Sequence, residues 1–152
     1  MKKKFVDFYF KVASEAANLS HARRLKVGAV IVKDDSILSY GYNGTPGGFD
    51  NNCENEVVDT YSQFEGAIYT TKLVTKPEVI HAEINAVAKA AKKGYSCDNA
   101  SMFITHAPCM DCAKLIYQSG IKRVYFGMAY RDDAGIKFLQ NSGIKIEQYT
   151  KE

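Results

Sequence analysis

The hydrophobic pattern changes period several times along the chain. Phe5, Phe8, Tyr9, Val12, Ala16 and Leu19 recur at spacings of three and four, with Asp7, Lys11 and Glu15 on the other side. This predicts an amphipathic helix over 5–19. Val27-Gly28-Ala29-Val30-Ile31-Val32 is a β-branched run without clean alternation, which suits a strand buried on both faces. The short polar stretch Lys33–Ser36 and the return Ile37–Tyr42 predict an antiparallel hairpin.

From His81 the helical period returns through Ile84, Val87, Ala88 and Ala91, and Gly94 supplies a C-terminal cap. Met102–Thr105 reads as a strand. Cys109, Cys112, Ala113 and Ile116 mark a helix ended by Gly120, and Arg123–Gly127 marks another strand. Asp132 or Asp133 caps a helix through Ile136 and Leu139 that ends at Gly143, and Ile144–Ile146 is the last strand. Helix, glycine and strand in succession, three times over, imply parallel pairing through right-handed crossovers.

Two stretches break the pattern. Gly41-Tyr42-Asn43-Gly44-Thr45-Pro46-Gly47-Gly48 is too rich in glycine for regular structure. At the end of a buried strand it can bring backbone close to a ligand. In residues 49–79, Tyr61, Phe64, Ile68, Tyr69, Leu73 and Val74 are scattered without a strong period. A lid or irregular insertion, with at most a short helix, is expected there.

The 152 residues are expected to form one domain over 1–152, with a 46% apolar and 24% charged share ordinary for a soluble protein. A net charge of +3 is too weak to argue for a nucleic-acid partner. No apolar run is long enough to cross a bilayer. The basic start Met1–Lys4 runs into Asp7, Lys11 and Glu15 rather than an apolar signal core, so a cytoplasmic location is expected. Four cysteines, two of them in Cys-x-x-Cys, point away from a disulfide framework.

The chemistry concentrates in His81-Ala82-Glu83 and Pro108-Cys109-Met110-Asp111-Cys112. One imidazole and two thiols match the ligand set of a catalytic zinc site that leaves a fourth position for water. Cys109 and Cys112 share a face at a helix start, where thiolates are favoured. Glu83 lies two residues past His81 and can converge on the same centre only where the helix is still being entered. It would then be the general base and acid. A structural zinc knuckle and a redox dithiol are the alternatives. The first wants a fourth protein ligand, and Cys53 and Cys97 are isolated; the second gives no reason for His81-Ala82-Glu83.

With these motifs, and with Lys26–Val32, Gly41-Tyr42-Asn43-Gly44-Thr45-Pro46, His81–Ala86 and Thr105–Ala113 on the page, the chain resembles the cytidine and deoxycytidylate deaminase superfamily over about residues 20–146. The glycine segment points to deoxycytidylate (dCMP) deaminases within it. The resemblance implies an α/β, three-layer cytidine-deaminase-like fold. Its mixed five-stranded sheet has an antiparallel first hairpin and a parallel remainder, flanked by helices. It implies zinc on His81, Cys109 and Cys112, with Glu83 shuttling protons in the conversion of dCMP to dUMP and ammonia.

The resemblance further implies that Asn43 bonds the sugar 3′-hydroxyl. The backbone near Ala82 and Thr105 would read the cytosine edge, and Tyr130 would contact the nucleotide. A homo-oligomer, favoured as a hexamer, is implied, activated by dCTP and inhibited by dTTP. Its effector site would draw on Arg23, Arg24, Gly41, Tyr42, Gly44 and Thr45, with Mg2+ on the triphosphate. Ser20 stands where many relatives carry a cysteine, and Lys72–Ile80 contains no histidine, so the donors of the second zinc of phage-type members are incomplete. A deaminase for dCTP or for another cytosine or adenine substrate, and a non-catalytic zinc-stabilised nucleotide-binding module, remain as alternatives.

Overall fold

The computed structural model describes residues 1–63, 66–130 and 132–150. Its elements run α1 (Lys3–Asn18), β1 (Gly28–Lys33), β2 (Ser36–Tyr42), β3 (Glu54–Gln63), β4 (Gly66–Thr75) and α2 (Ala82–Lys92). They continue through β5 (Ser101–His106), α3 (Met110–Gln118), β6 (Arg123–Met128), α4 (Ala134–Asn141) and β7 (Lys145–Gln148).

The main sheet has the order β2-β1-β5-β6-β7. Asp34 and Asp35 both take positive φ between Lys33 and its partner Ser36. That is the backbone of a two-residue turn whose twist matches a hairpin. β5, β6 and β7 are mutually parallel, as the recurring helix and strand predict. The joint between the two halves is antiparallel: β1 pairs β5 in that sense, Ala29 opposite Ile104. Since β1 opposes both neighbours, β2 and β5 run the same way, and α2 carries the chain between them.

Alternation along the central strands divides the core in two. Tyr9, Phe10 and Ala13 of α1 pack with Val30, Val32, Phe103 and Tyr125 on one face. On the other, Ala29, Ile31, Met102, Ile104 and Val124 meet Ala86 and Ala90 of α2, Ile116 of α3 and Leu139 of α4. The result is the expected three layers, with β1 and β5 covered on both sides.

The expectation for residues 49–79 needs correction. β3 and β4 form a separate two-stranded antiparallel sheet with continuous register from Glu54 opposite Thr75 to Gln63 opposite Gly66, and the described residues of that stretch contain no helix. Val57, Val58, Ile68, Tyr69 and Val74 are exposed on it. Neither face is buried, so no alternation of apolar and polar positions was imposed to reveal the strands. Phe64 lies outside the described residues. The hairpin is anchored at its root, where the Lys76 amide donates to the Cys53 carbonyl at 2.9 Å.

Candidate active site

The two motifs occupy equivalent places. His81 is the N-cap of α2 and Cys109 the N-cap of α3, both with extended backbone and neither making a side-chain capping bond. The N-cap residue is only half inside the helix, so its side chain points back across the first turn. Glu83 and Cys112 then follow in the first turns of their helices. This is how His81 and Glu83, two apart, face one centre.

The ligating atoms of His81, Cys109 and Cys112 all lie within 4.8 Å of one another. His81 Nδ1 is 3.4 Å from Cys112 Sγ and 3.6 Å from Cys109 Sγ. Donation from the Cys112 thiol, then from His81, lowers the Cys109 pKa to about 4. Cys112 is pushed strongly up by its bond to Cys109 and by burial. An imidazole and two thiols at these separations fit a tetrahedral zinc ion, whose charge would hold both sulfurs as thiolates. Among the described residues no other His, Cys, Asp and Glu cluster of this kind occurs.

Glu83 is 4% exposed, and burial raises its carboxyl above the ordinary range, while His81 opposes that rise. Two glycines set the approach of the ligand-bearing helices. A Cβ on Gly41 of β2 would collide with the Ala82 carbonyl and the Ala86 amide. One on Gly135 of α4 would collide with the Pro108 carbonyl and the Cys109 backbone.

His81, Ala82, Glu83 and Cys109 share a cavity with Arg24, Asn43, His106 and Tyr130, closed by apolar Leu25, Val27 and Val79. Asn43 holds the wall: its Oδ1 accepts from the Val27 amide at 2.8 Å and its Nδ2 donates to the Leu25 carbonyl at 2.8 Å. One N–H and one lone pair of the amide remain for a ligand. The Thr105 hydroxyl accepts from the Gly28 amide at 3.1 Å.

The six residues of the expected effector site are not gathered in one place. Arg24 lines the cavity and donates from Nη2 to the Tyr130 hydroxyl at 3.0 Å. Arg23 turns the other way, to Glu56 at 2.9 Å and Glu54 at 3.8 Å. Gly41 is buried against α2, a packing position with no room for a ligand. The Tyr42 carbonyl accepts from Asn85 at 2.8 Å. Gly44 forms an isolated bridge with Ile80, which fixes the chain just before His81. The Thr45 hydroxyl donates to the Asp50 carbonyl at 2.8 Å. At the position read against a second zinc, Ser20 donates to the Asn43 carbonyl at 2.7 Å, and Cys53 packs with Ala22 and Val79.

Glu54 and His106 escaped the sequence reading. The Glu54 carboxylate is buried and accepts from the amides of Arg23 and Arg24 at 3.0 and 3.1 Å. Nothing local in the sequence marks it. His106 sits inside the Thr105–Ala113 segment beside the ligands, which was its one available signal.

A model of the cytidine and deoxycytidylate deaminase zinc-binding region matches residues 3–128. A deoxycytidylate deaminase of Enterobacteria phage T2 is 36% identical over 155 aligned positions, covering 80% of this chain and 79% of the phage protein. The Saccharomyces cerevisiae deoxycytidylate deaminase is 31% identical over 151 positions, but this chain spans only 46% of its length. Among solved structures, the dCMP deaminase of cyanophage S-TIM5, in complex with dCMP and dUMP, superposes with a TM-score of 0.82 at 41% identity, over 98% of this chain and 99% of that one. With its paired N-cap ligands, its mixed sheet and these relatives, the chain belongs to the zinc-binding cytidine and deoxycytidylate deaminase family.

Proposed function

We propose that this protein hydrolyses the exocyclic amine of dCMP, giving dUMP and ammonia. The observation that carries the reading is a single cavity holding both a buried carboxyl beside a His/Cys/Cys donor set and an Arg24–Tyr130 pair suited to an anionic group. The cyanophage enzyme solved with dCMP and dUMP supports the choice of substrate.

Zinc on His81, Cys109 and Cys112 would supply Lewis acidity, making a water acidic enough to lose a proton near neutral pH. Glu83 would take a proton from the attacking water as its oxygen bonds C4, return it to the ring nitrogen, and then carry the proton of the new C4 hydroxyl to the amine as the C4–N bond breaks. Burial raises the Glu83 carboxyl above the ordinary carboxylate range, which suits a group that both takes and gives protons. The apolar wall of Leu25, Val27 and Val79 keeps bulk water from the base. The backbone of Ala82 and Thr105 takes the cytosine edge. The spare capacity of Asn43 takes the 3′-hydroxyl, and Tyr130 with Arg24 takes the 5′-phosphate. The whole of 1–152 acts as one catalytic domain.

We extend the reading to a homo-oligomer, a hexamer by the family resemblance, and to activation by dCTP and inhibition by dTTP with Mg2+. The exposed apolar side chains of the β3–β4 hairpin support self-association. Arg24 faces the catalytic cavity and Gly41 is closed by α2, so the effector site draws on Arg23, Tyr42, Gly44 and Thr45.

The deciding assay is ammonia release by the zinc-loaded protein on dCMP, deoxycytidine and dCTP. Conversion of dCMP with the highest kcat/KM supports the reading, and equal rates on all three overturn it. A dCMP saturation curve with and without dCTP and Mg2+ tests regulation, and light scattering gives the oligomer.

A further inference from the structure

His106 lies at the C-terminal end of β5, in register with Met128 of β6. Ligands of open α/β sheets gather beyond such strand ends. Its half-buried ring forms part of the cavity wall with Arg24 and Tyr130. The next residue ties the same two strands, since the Ala107 amide donates to the Met128 carbonyl at 2.8 Å. The segment leading to Tyr130 therefore starts beside His106.

The tautomer of His106 is coupled to its neighbour Thr105. Thr105 Oγ1 accepts from the Gly28 amide at 3.1 Å and lies 3.0 Å from His106 Nδ1. A hydroxyl has one proton to give and two lone pairs to receive. Gly28 occupies one lone pair, and the geometry lets the hydroxyl proton go to Nδ1, an arrangement that places the ring proton on Nε2. Burial also lowers the His106 pKa, which favours the neutral ring.

We infer that His106 is a specificity-determining residue, a tautomer-locked Nε2–H donor that binds a 5′-phosphate oxygen alongside Arg24 and Tyr130, with Thr105 as its positioning residue. The assignment rests on the proposed dCMP reading and deepens it. It gives the phosphate end of the cavity a donor whose direction is set by the fold, beside an arginine whose side chain is long and adaptable. A monophosphate is thereby told from a bare nucleoside by three converging donors.

The test compares wild type with His106→Leu, His106→Gln and Thr105→Val, all zinc-loaded, on dCMP and on deoxycytidine. Glutamine can place an N–H near the Nε2 position, whereas leucine keeps bulk and offers no donor. His106→Leu is expected to lose roughly 10- to 100-fold in kcat/KM for dCMP, mostly through KM, with deoxycytidine unchanged. His106→Gln recovers most of the loss. Thr105→Val raises KM for dCMP several-fold at similar kcat. The 15N shifts of the His106 ring in the wild type should show Nε2–H, and an Nδ1–H ring overturns the lock. Equal losses on both substrates, or no loss on dCMP, overturn the phosphate role. If wild type does not turn over dCMP at all, it is the broader functional reading that fails, whatever the ring shifts show.

Discussion

Arg24 and Tyr130, 106 positions apart in the sequence, meet through a 3.0 Å hydrogen bond at the wall of the cavity that holds His81 and Glu83. The phenol fixes one end of the guanidinium and leaves its other N–H groups for a ligand. Tyr130→Phe keeps the ring and removes the acceptor. KM for dCMP should rise roughly 3- to 10-fold with kcat little changed, the range for one lost hydrogen bond. Steady-state kinetics on dCMP checks this.

Glu83 is buried beside the donor set and, among the described residues, is the one carboxyl lining the cavity. Glu83→Gln preserves shape and removes the proton carrier. Bound zinc, measured by metal analysis, should stay near one per chain while kcat falls by about 10²- to 10⁴-fold. Loss of the metal along with activity would give Glu83 a structural role instead.

Metal removal should expose one reactive thiol. Cys109 is partly exposed and its pKa lies near 4, whereas burial raises the thiol pKa of Cys53 and of Cys97, and Cys112 is buried and raised further. After chelation at neutral pH, a thiol reagent should label Cys109 first. Added zinc should block that labelling, restore activity and raise Tm.

Gly41 and Gly44 are three residues apart and should respond oppositely to alanine. At Gly41 a methyl group meets the α2 backbone at Ala82 and Ala86; at Gly44 it meets nothing within 4 Å. Gly41→Ala should cost about 1–3 kcal/mol of stability. It should also lower activity, because the displaced turn carries His81 and Glu83. Gly44→Ala should leave both nearly unchanged. Thermal melts with activity assays separate the two.

Alkaline stability should report on Tyr9. Burial, then its 2.8 Å donation to Asp35, raises this phenol above its usual 10. The folded state therefore holds the proton to higher pH than the unfolded chain. The resulting stability is fully present below about 10 and is lost as pH climbs through the folded pKa. In denaturant titrations above pH 10, Tyr9→Phe should lose stability less steeply than wild type.

The parts of this molecule legible from sequence are those where burial dictates residue type. The helices each bury one face, so their period survives in Phe5–Leu19 and in the stretches after His81, while β1 and β5 are covered on both faces and keep unbroken apolar runs such as Val27–Val32. The donor set was legible because its chemistry needs particular side chains at particular helix starts. The β3–β4 hairpin was not, since a ribbon exposed on both faces leaves no such imprint. The cavity wall was half legible: Asn43 and Tyr130 came from resemblance, while the partition of Arg23 from Arg24 depends on Glu54, some 30 positions away. No local pattern carries a contact of that range.

The middle position of β1 has a consequence for how the chain is made. Its first partner, β2, emerges at once, but its second, β5, is the stretch Ser101–His106, about seventy residues later. Until the ribosome has released that stretch, one edge of β1 stays open, and α1 and α2, which precede β5, have only the β1–β2 hairpin of the main sheet to pack on. Assembly must then wait for a distant strand, and contacts of that separation are slow to form. Nascent chains stalled before His106 should therefore be protease-sensitive and prone to chaperone capture, and those released past β6 should be resistant.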